Sequence, residues 1–184
     1  MQHTVHVTIQ GISPLIQNNP TATKPRNKRK NQGQEIDEEE VRLRVYYRDD
    51  GGLFHPAEAI ESAILEASRE FHAGRRTYEK PIKRGVFINQ TELPIINRKT
   101  WDRIRLLKPR NFSGQVTPYY APEFAEGWEM TFVIEFDDEM VPLAKLKEIL
   151  DFAGARIGIG VHRPKFGRFI VTKFEDSLSE KKVA

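Results

Sequence analysis

Cysteine is absent from the chain. Disulfides and cysteine-ligated zinc are therefore excluded, and this usage fits a reducing compartment. Long apolar runs are missing too. Nothing approaches the roughly 20 residues that cross a bilayer, and the opening MQHTVHVTIQ lacks the apolar core of a signal peptide. A cytoplasmic protein with no membrane partner is expected. Histidine is sparse, and His3, His6, His55, His72 and His162 show no HExxH or other metal-ligand spacing. No metal and no cofactor is expected, and no internal repeat is visible.

What is present is charge over a real core. With 39% hydrophobic and 30% charged residues in 184 positions, the chain can build one sizeable domain, residues 1–184, under a heavily charged surface. The net charge is only +3, so the distribution matters more than the sum. Lys24, Arg26, Lys28, Arg29 and Lys30 form one basic group. Arg75, Arg76, Lys80, Lys83 and Arg84 form a second, and His162, Arg163, Lys165 and Arg168 a third. Clustered cations of this kind are the footprint of a polyanion partner.

Val5, Val7 and Ile9 alternate with His6, Thr8 and Gln10, which predicts a half-buried strand. Residues 18–40 form a polar insertion, basic first and acidic second (Glu35, Asp37, Glu38, Glu39, Glu40), readable as a solvated loop or as an arm ordered by a partner. Val41–Tyr47 alternates again and predicts a strand ending in the Asp49–Gly52 turn. A helix is predicted from Pro56 through Phe71, with Gly74 as its C-cap. Short apolar strands are predicted at Val86–Ile88 and Pro94–Ile96, and mixed strand and loop from Trp101 to Tyr120. A strand at Trp128–Phe136, a helix from Pro142 and a strand at Phe169–Phe174 complete the order, and residues 176–184 form a polar tail. This is an α+β, β-α-β-β-α-β plan: an antiparallel sheet with two helices on one face.

Gly154, Gly158, Gly160 and Gly167 crowd the segment GARIGIGVHRPKFGRF, with His162, Arg163, Lys165 and Arg168 threaded among them. The segment follows a helix and precedes a strand, the wrong order for a dinucleotide fingerprint or a P-loop. Accessible amides beside cationic side chains would grip a phosphate backbone without reading sequence.

Gly158-Ile159-Gly160, the basic residues and Gly167-Arg168-Phe169 together resemble the glycine-rich loop of the RAMP superfamily, the RNA-binding subunits of CRISPR effector complexes. The opening VHVTIQGISPLI likewise resembles a RAMP first strand. The resemblance implies a ferredoxin-like (RRM-like) fold. It also implies contacts to the RNA backbone from Gly158, Gly160, His162, Arg163, Lys165, Gly167 and Arg168. The partners it implies are a guide or other single-stranded RNA, and copies of the chain or other subunits packed side by side. Lys24–Lys30 would reach a neighbouring segment, and Arg75–Arg84 would widen the groove.

Three alternatives stand beside this reading. One is a phage-type single-stranded DNA-binding or annealing protein. Another is a metal-independent endoribonuclease, since some RAMP relatives cleave RNA with a histidine and His162 is the one candidate. The third is a structural assembly protein. Asp49-Asp50 and Asp137-Asp138-Glu139 read as turn and helix-start residues, and Asp37 is compared only loosely with a cleaving loop aspartate. Among the aromatics, Tyr119 and Tyr120 are the best candidates for stacking on bases.

Overall fold

The computed structural model describes residues 2–20, 36–110, 112–116 and 118–176. Lys24, Arg26, Lys28, Arg29 and Lys30, and the tail beyond Asp176, lie outside the described residues. In chain order the elements are β1 (Gln2–Gly11), β2 (Leu15–Ile16), α1 (Glu38–Arg42), β3 (Phe54–Pro56), α2 (Ala57–Ala67), β4 (His72–Ala73), β5 (Arg76–Thr77), α3 (Glu79–Gly85), β6 (Val86–Phe87), β7 (Glu92–Pro94), β8 (Arg103–Leu107), β9 (Tyr119–Phe124), β10 (Glu129–Asp137), α4 (Leu143–Phe152) and β11 (Phe169–Asp176).

The period-2 pattern of β1 sets the register of the main sheet. Val5 lies opposite Ile134, Val7 opposite Phe132 and Ile9 opposite Met130, and all six are fully buried. A one-residue slip would turn every one of these side chains to solvent. Burying such a side chain contributes about 1.5–3 kcal/mol, so the register is strongly specified. The sheet order is β11-β1-β10-β6, antiparallel throughout. Numbered along the chain, these four strands run 4-1-3-2, the ferredoxin-like split βαβ arrangement.

The helices that cover this sheet do so because their apolar stripes match it. Ile60 and Ile64 of α2, and Leu146, Ile149 and Leu150 of α4, are buried in one cluster with Val5, Val7, Phe132 and Ile134. Phe71 meets Phe152 edge to face at 5.6 Å where the ends of the two helices approach. A smaller sheet, β2-β9-β8, stands beside the main one. Its own buried cluster is Ile16, Leu107, Ala121 and Phe166.

Three expectations need correction. Val41–Tyr47 is not a strand: α1 ends at Arg42 and a turn follows. Asp37 caps the helix by accepting from the Glu40 N–H at 3.3 Å, and Glu38–Glu40 occupy its first turn, where the helix dipole favours acids. Val41 and Val45 are buried while Leu43 is exposed, a spacing of four that alternation alone also satisfied. The acidic end of the insertion is therefore part of α1. Gly74 is no helix cap either. The long helix gives way to a 3₁₀ turn at Ser68–Glu70, and Gly74 sits at φ 64° in the β4–β5 hairpin.

Candidate nucleic-acid interface

The glycine-rich loop starts where α4 loosens into a π turn, Ala153–Ile157, and ends at β11. Its glycines are structural. Gly160 (φ 76°) lies against Leu15 and the Ile16 carbonyl, and a Cβ at Gly167 (φ 74°) would collide with the Ile159 backbone. Both therefore need a conformation and a close approach that only glycine allows.

Several of the loop's amides, which the sequence reading counted as accessible, are instead bonded within the protein. Gly158 N–H donates to Ala153 O (2.8 Å), Ile159 N–H to Gly167 O (3.0 Å), Val161 N–H to Ile16 O (3.2 Å) and Gly167 N–H to Pro14 O (2.8 Å). Arg168 N–H donates to Ser13 Oγ (2.8 Å), and the Arg168 carbonyl accepts from Ile12 N–H at 2.9 Å. Trp128, fully buried, donates its indole N–H to Ser13 O at 2.9 Å and pins the far side of this seam. The loop is thus sewn to the segment between β1 and β2.

Those side chains project. His162, Arg163, Lys165 and Arg168 are all exposed, whereas Phe166 between them is buried in the smaller sheet's cluster. Arg163 is partly engaged, with Nη1 3.4 Å from Gly158 O and Nη2 3.4 Å from a Glu66 carboxylate oxygen on α2. An exposed pair of this kind contributes little and exchanges readily for another anion. His162 adopts φ 59°, the one non-glycine residue in the left-handed region among the described residues.

Phe166 is flanked by two cations, Lys165 of the loop and Arg105, which sequence reasoning did not assign to the site. Arg105 of β8 lies 5.1 Å from its ring centroid and Lys165 Nζ 5.6 Å away. Arg105 also forms a bidentate pair with Glu123, a fully buried carboxylate on β9. That hydrogen bond raises the Arg105 pKa, so its charge is permanent and largely spent on Glu123.

Of the second basic group, Arg75 and Arg76 lie on the β4–β5 hairpin and Lys80, Lys83 and Arg84 on α3, all exposed. No hydrogen bond or ion pair joins them to the loop among the described residues. Tyr119 and Tyr120 are half-buried rather than displayed, and the Arg44 guanidinium covers Tyr119 at 4.7 Å. Asp50 and Asp137 carboxylates accept turn N–H groups of Gly52 (2.9 Å) and Glu139 (3.1 Å), which agrees with a structural role. Among the described residues no group of three His, Asp or Glu side chains is placed to hold a metal ion. No helix among them is long and apolar enough to cross a membrane.

No family model matches the chain, and no curated protein matches it in sequence. Solved structures do. A chain of the type III-B Cmr-beta complex bound to cognate target RNA superposes over 95% of this chain with a TM-score of 0.57 and 12% identity. This chain spans 60% of that one's length. Cmr6 from Pyrococcus furiosus superposes over 92% of this chain and 97% of its own, with a TM-score of 0.52 and 12% identity. At 12% identity these matches speak to the fold, and at that level they agree with the resemblance read from the glycine-rich segment.

Proposed function

We propose that this chain is an RNA-binding subunit of a CRISPR-type ribonucleoprotein, holding the RNA backbone with the side chains of its glycine-rich loop. The observation that carries the reading is the loop itself: a backbone locked by internal hydrogen bonds that leaves His162, Arg163, Lys165 and Arg168 exposed. Fixed cations on a rigid frame give phosphate affinity at low ordering cost. The shared fold with a Cmr-beta complex that holds target RNA supports RNA over DNA. Arg75, Arg76, Lys80, Lys83 and Arg84 extend the basic surface, and packing side by side with other subunits would continue it.

The test is binding of labelled single-stranded RNA and DNA of equal length across a salt series. Wild type is compared with Arg163→Ala/Lys165→Ala/Arg168→Ala. RNA binding that weakens with salt is expected, and removing three phosphate contacts should lower the log–log slope by about 2. Equal affinity for both polymers favours a DNA-binding or annealing protein, and no binding at all favours an assembly protein. The strained backbone of His162 favours one second reading, cleavage of RNA by this residue. Product formed without divalent metal, and lost in His162→Ala, would establish it.

A further inference from the structure

Beside the loop lies a cleft of about 280 Å³, walled by Gly160, Val161 and Arg163 on one side. Ile16 and Asn18 line it from the segment at β2, Tyr46 and His55 from around β3, and Ala59 and Ser62 from α2. Its volume is just below the roughly 300–1,000 Å³ of typical small-molecule sites, which suits one nucleotide and not a strand.

The polar groups of this cleft have their hydrogen-bonding sense set from behind. Gln17 is fully buried; its Oε1 accepts from Tyr46 N–H at 3.0 Å and its Nε2 donates to Phe54 O at 2.7 Å. Those two backbone contacts fix the amide's orientation, so the Nε2 that lies 3.3 Å from His55 Nδ1 is a donor. His55 Nδ1 is therefore the acceptor, and the imidazole proton sits on Nε2. Asn18 is set in the same way. Its Oδ1 accepts from Arg44 Nη1 at 2.6 Å, which leaves the Nδ2 hydrogens as what it offers the cleft. Arg44 is itself buried and held by Glu40 at 3.0 Å and by the Tyr119 ring. With the Arg163 guanidinium at the rim, the cleft is rich in donors and has no carboxylate among its described lining residues, between apolar walls and one tyrosine.

We propose that this cleft takes a single unstacked nucleotide of the bound RNA, a base whose carbonyl oxygens accept from His55, Asn18 and Ser62. A pyrimidine fits this description best, its carbonyl edge meeting donors while Tyr46 supplies an aromatic wall. The assignment rests on the RNA-binding reading for its biological ligand. The cleft's own chemistry is nonetheless testable without a polymer.

The experiment titrates uridine 5′-monophosphate, at millimolar concentrations, into the full chain while NMR follows the His55 imidazole and Tyr46 ring signals. Both sets of signals should move together. Asn18→Asp keeps the Oδ1 acceptor for Arg44 but turns the other donor into an acceptor, and should weaken the effect roughly tenfold. Unmoved signals overturn the proposal. So does an equal response to ribose 5-phosphate, which would show that only the phosphate is read. Loss of polymer binding in Lys165→Ala/Arg168→Ala, which spares Arg163 at the rim, with the mononucleotide response intact, separates the failure of one reading from that of the other.

Discussion

Lowering the pH should destabilise this protein through His55, and the size of the effect follows from its surroundings. The imidazole is 3% exposed, and burial pushes its pKa from 6.5 down to about 4. Protonation would also place a hydrogen on Nδ1 against the Gln17 amide, which is itself donating there. The unfolded chain thus binds a proton between pH 6.5 and about 4 while the folded chain does not, so stability is lost as the pH falls through that window. A depression of 6.5 minus 4, or 2.5 units, corresponds to about 3 kcal/mol in full. About 2 kcal/mol of it should vanish between pH 7 and pH 4.5. The assay is urea denaturation followed by the fluorescence of Trp101 and Trp128, for wild type and His55→Gln at each pH. Carboxylate titrations cancel in the difference between the two proteins, as does the nearby Arg163 charge. The stability gap should shrink by about 2 kcal/mol on acidification. A gap that stays constant with pH, or an imidazole that titrates near its ordinary value, refutes the reasoning.

Arg105→Met should cost about 2 kcal/mol in the same denaturation assay. It strands the buried Glu123 carboxylate, but Arg105 itself is 38% exposed and water can partly replace it. Adding Glu123→Gln should restore most of the loss, and a double variant no better than the single one would count against a stranded charge. Gly167→Ala places a methyl group on the Ile159 backbone at a positive φ, and should cost about 1–3 kcal/mol while releasing the loop from β2. Protection of the Val161 and Gly167 amides from hydrogen exchange should fall in that variant; unchanged protection would mean that the loop is not held by this approach.

The main sheet and its two covering helices were legible because their periods are long and clean. Val5, Val7 and Ile9, Met130 to Phe136, and the stripes of α2 and α4 each repeat several times on a buried face. Elements of a few residues were not. In α3, Pro81 and Gly85 argue against a helix, and tertiary packing of Ile82 overrides them. The glycine-rich loop could be located from composition, but not the use of its amides, because their acceptors at Pro14 and Ile16 lie more than 140 residues away in sequence. Arg44, Gln17 and His55 gave no signal at all. A buried polar residue looks like a surface one until its partners are known.

The open face of the main sheet bears on the proposal that a polyanion is held at the loop. In single-stranded readers built on related sheets, aromatic side chains on that face stack on bases. Here the corresponding positions on β1 and β10 are Thr8 and Thr131, 3.3 Å apart between hydroxyls, and Gln10 donating to Glu129 at 2.9 Å. Glu135 and Glu175 add negative charge to the same face, and its Lys173 is paired with Glu175 at 2.9 Å. A phosphate chain laid across this surface would meet carboxylates, and the exposed aromatic there is Phe87 of β6, opposite Glu135 at the sheet's edge. The cations of the loop lie at the end of the sheet, beyond Gly11 and Phe169, beside the smaller sheet and α2. On the proposed reading, the fold that offers a sheet face to bases elsewhere would leave this chain its edge, where contacts to the nucleic-acid backbone would dominate.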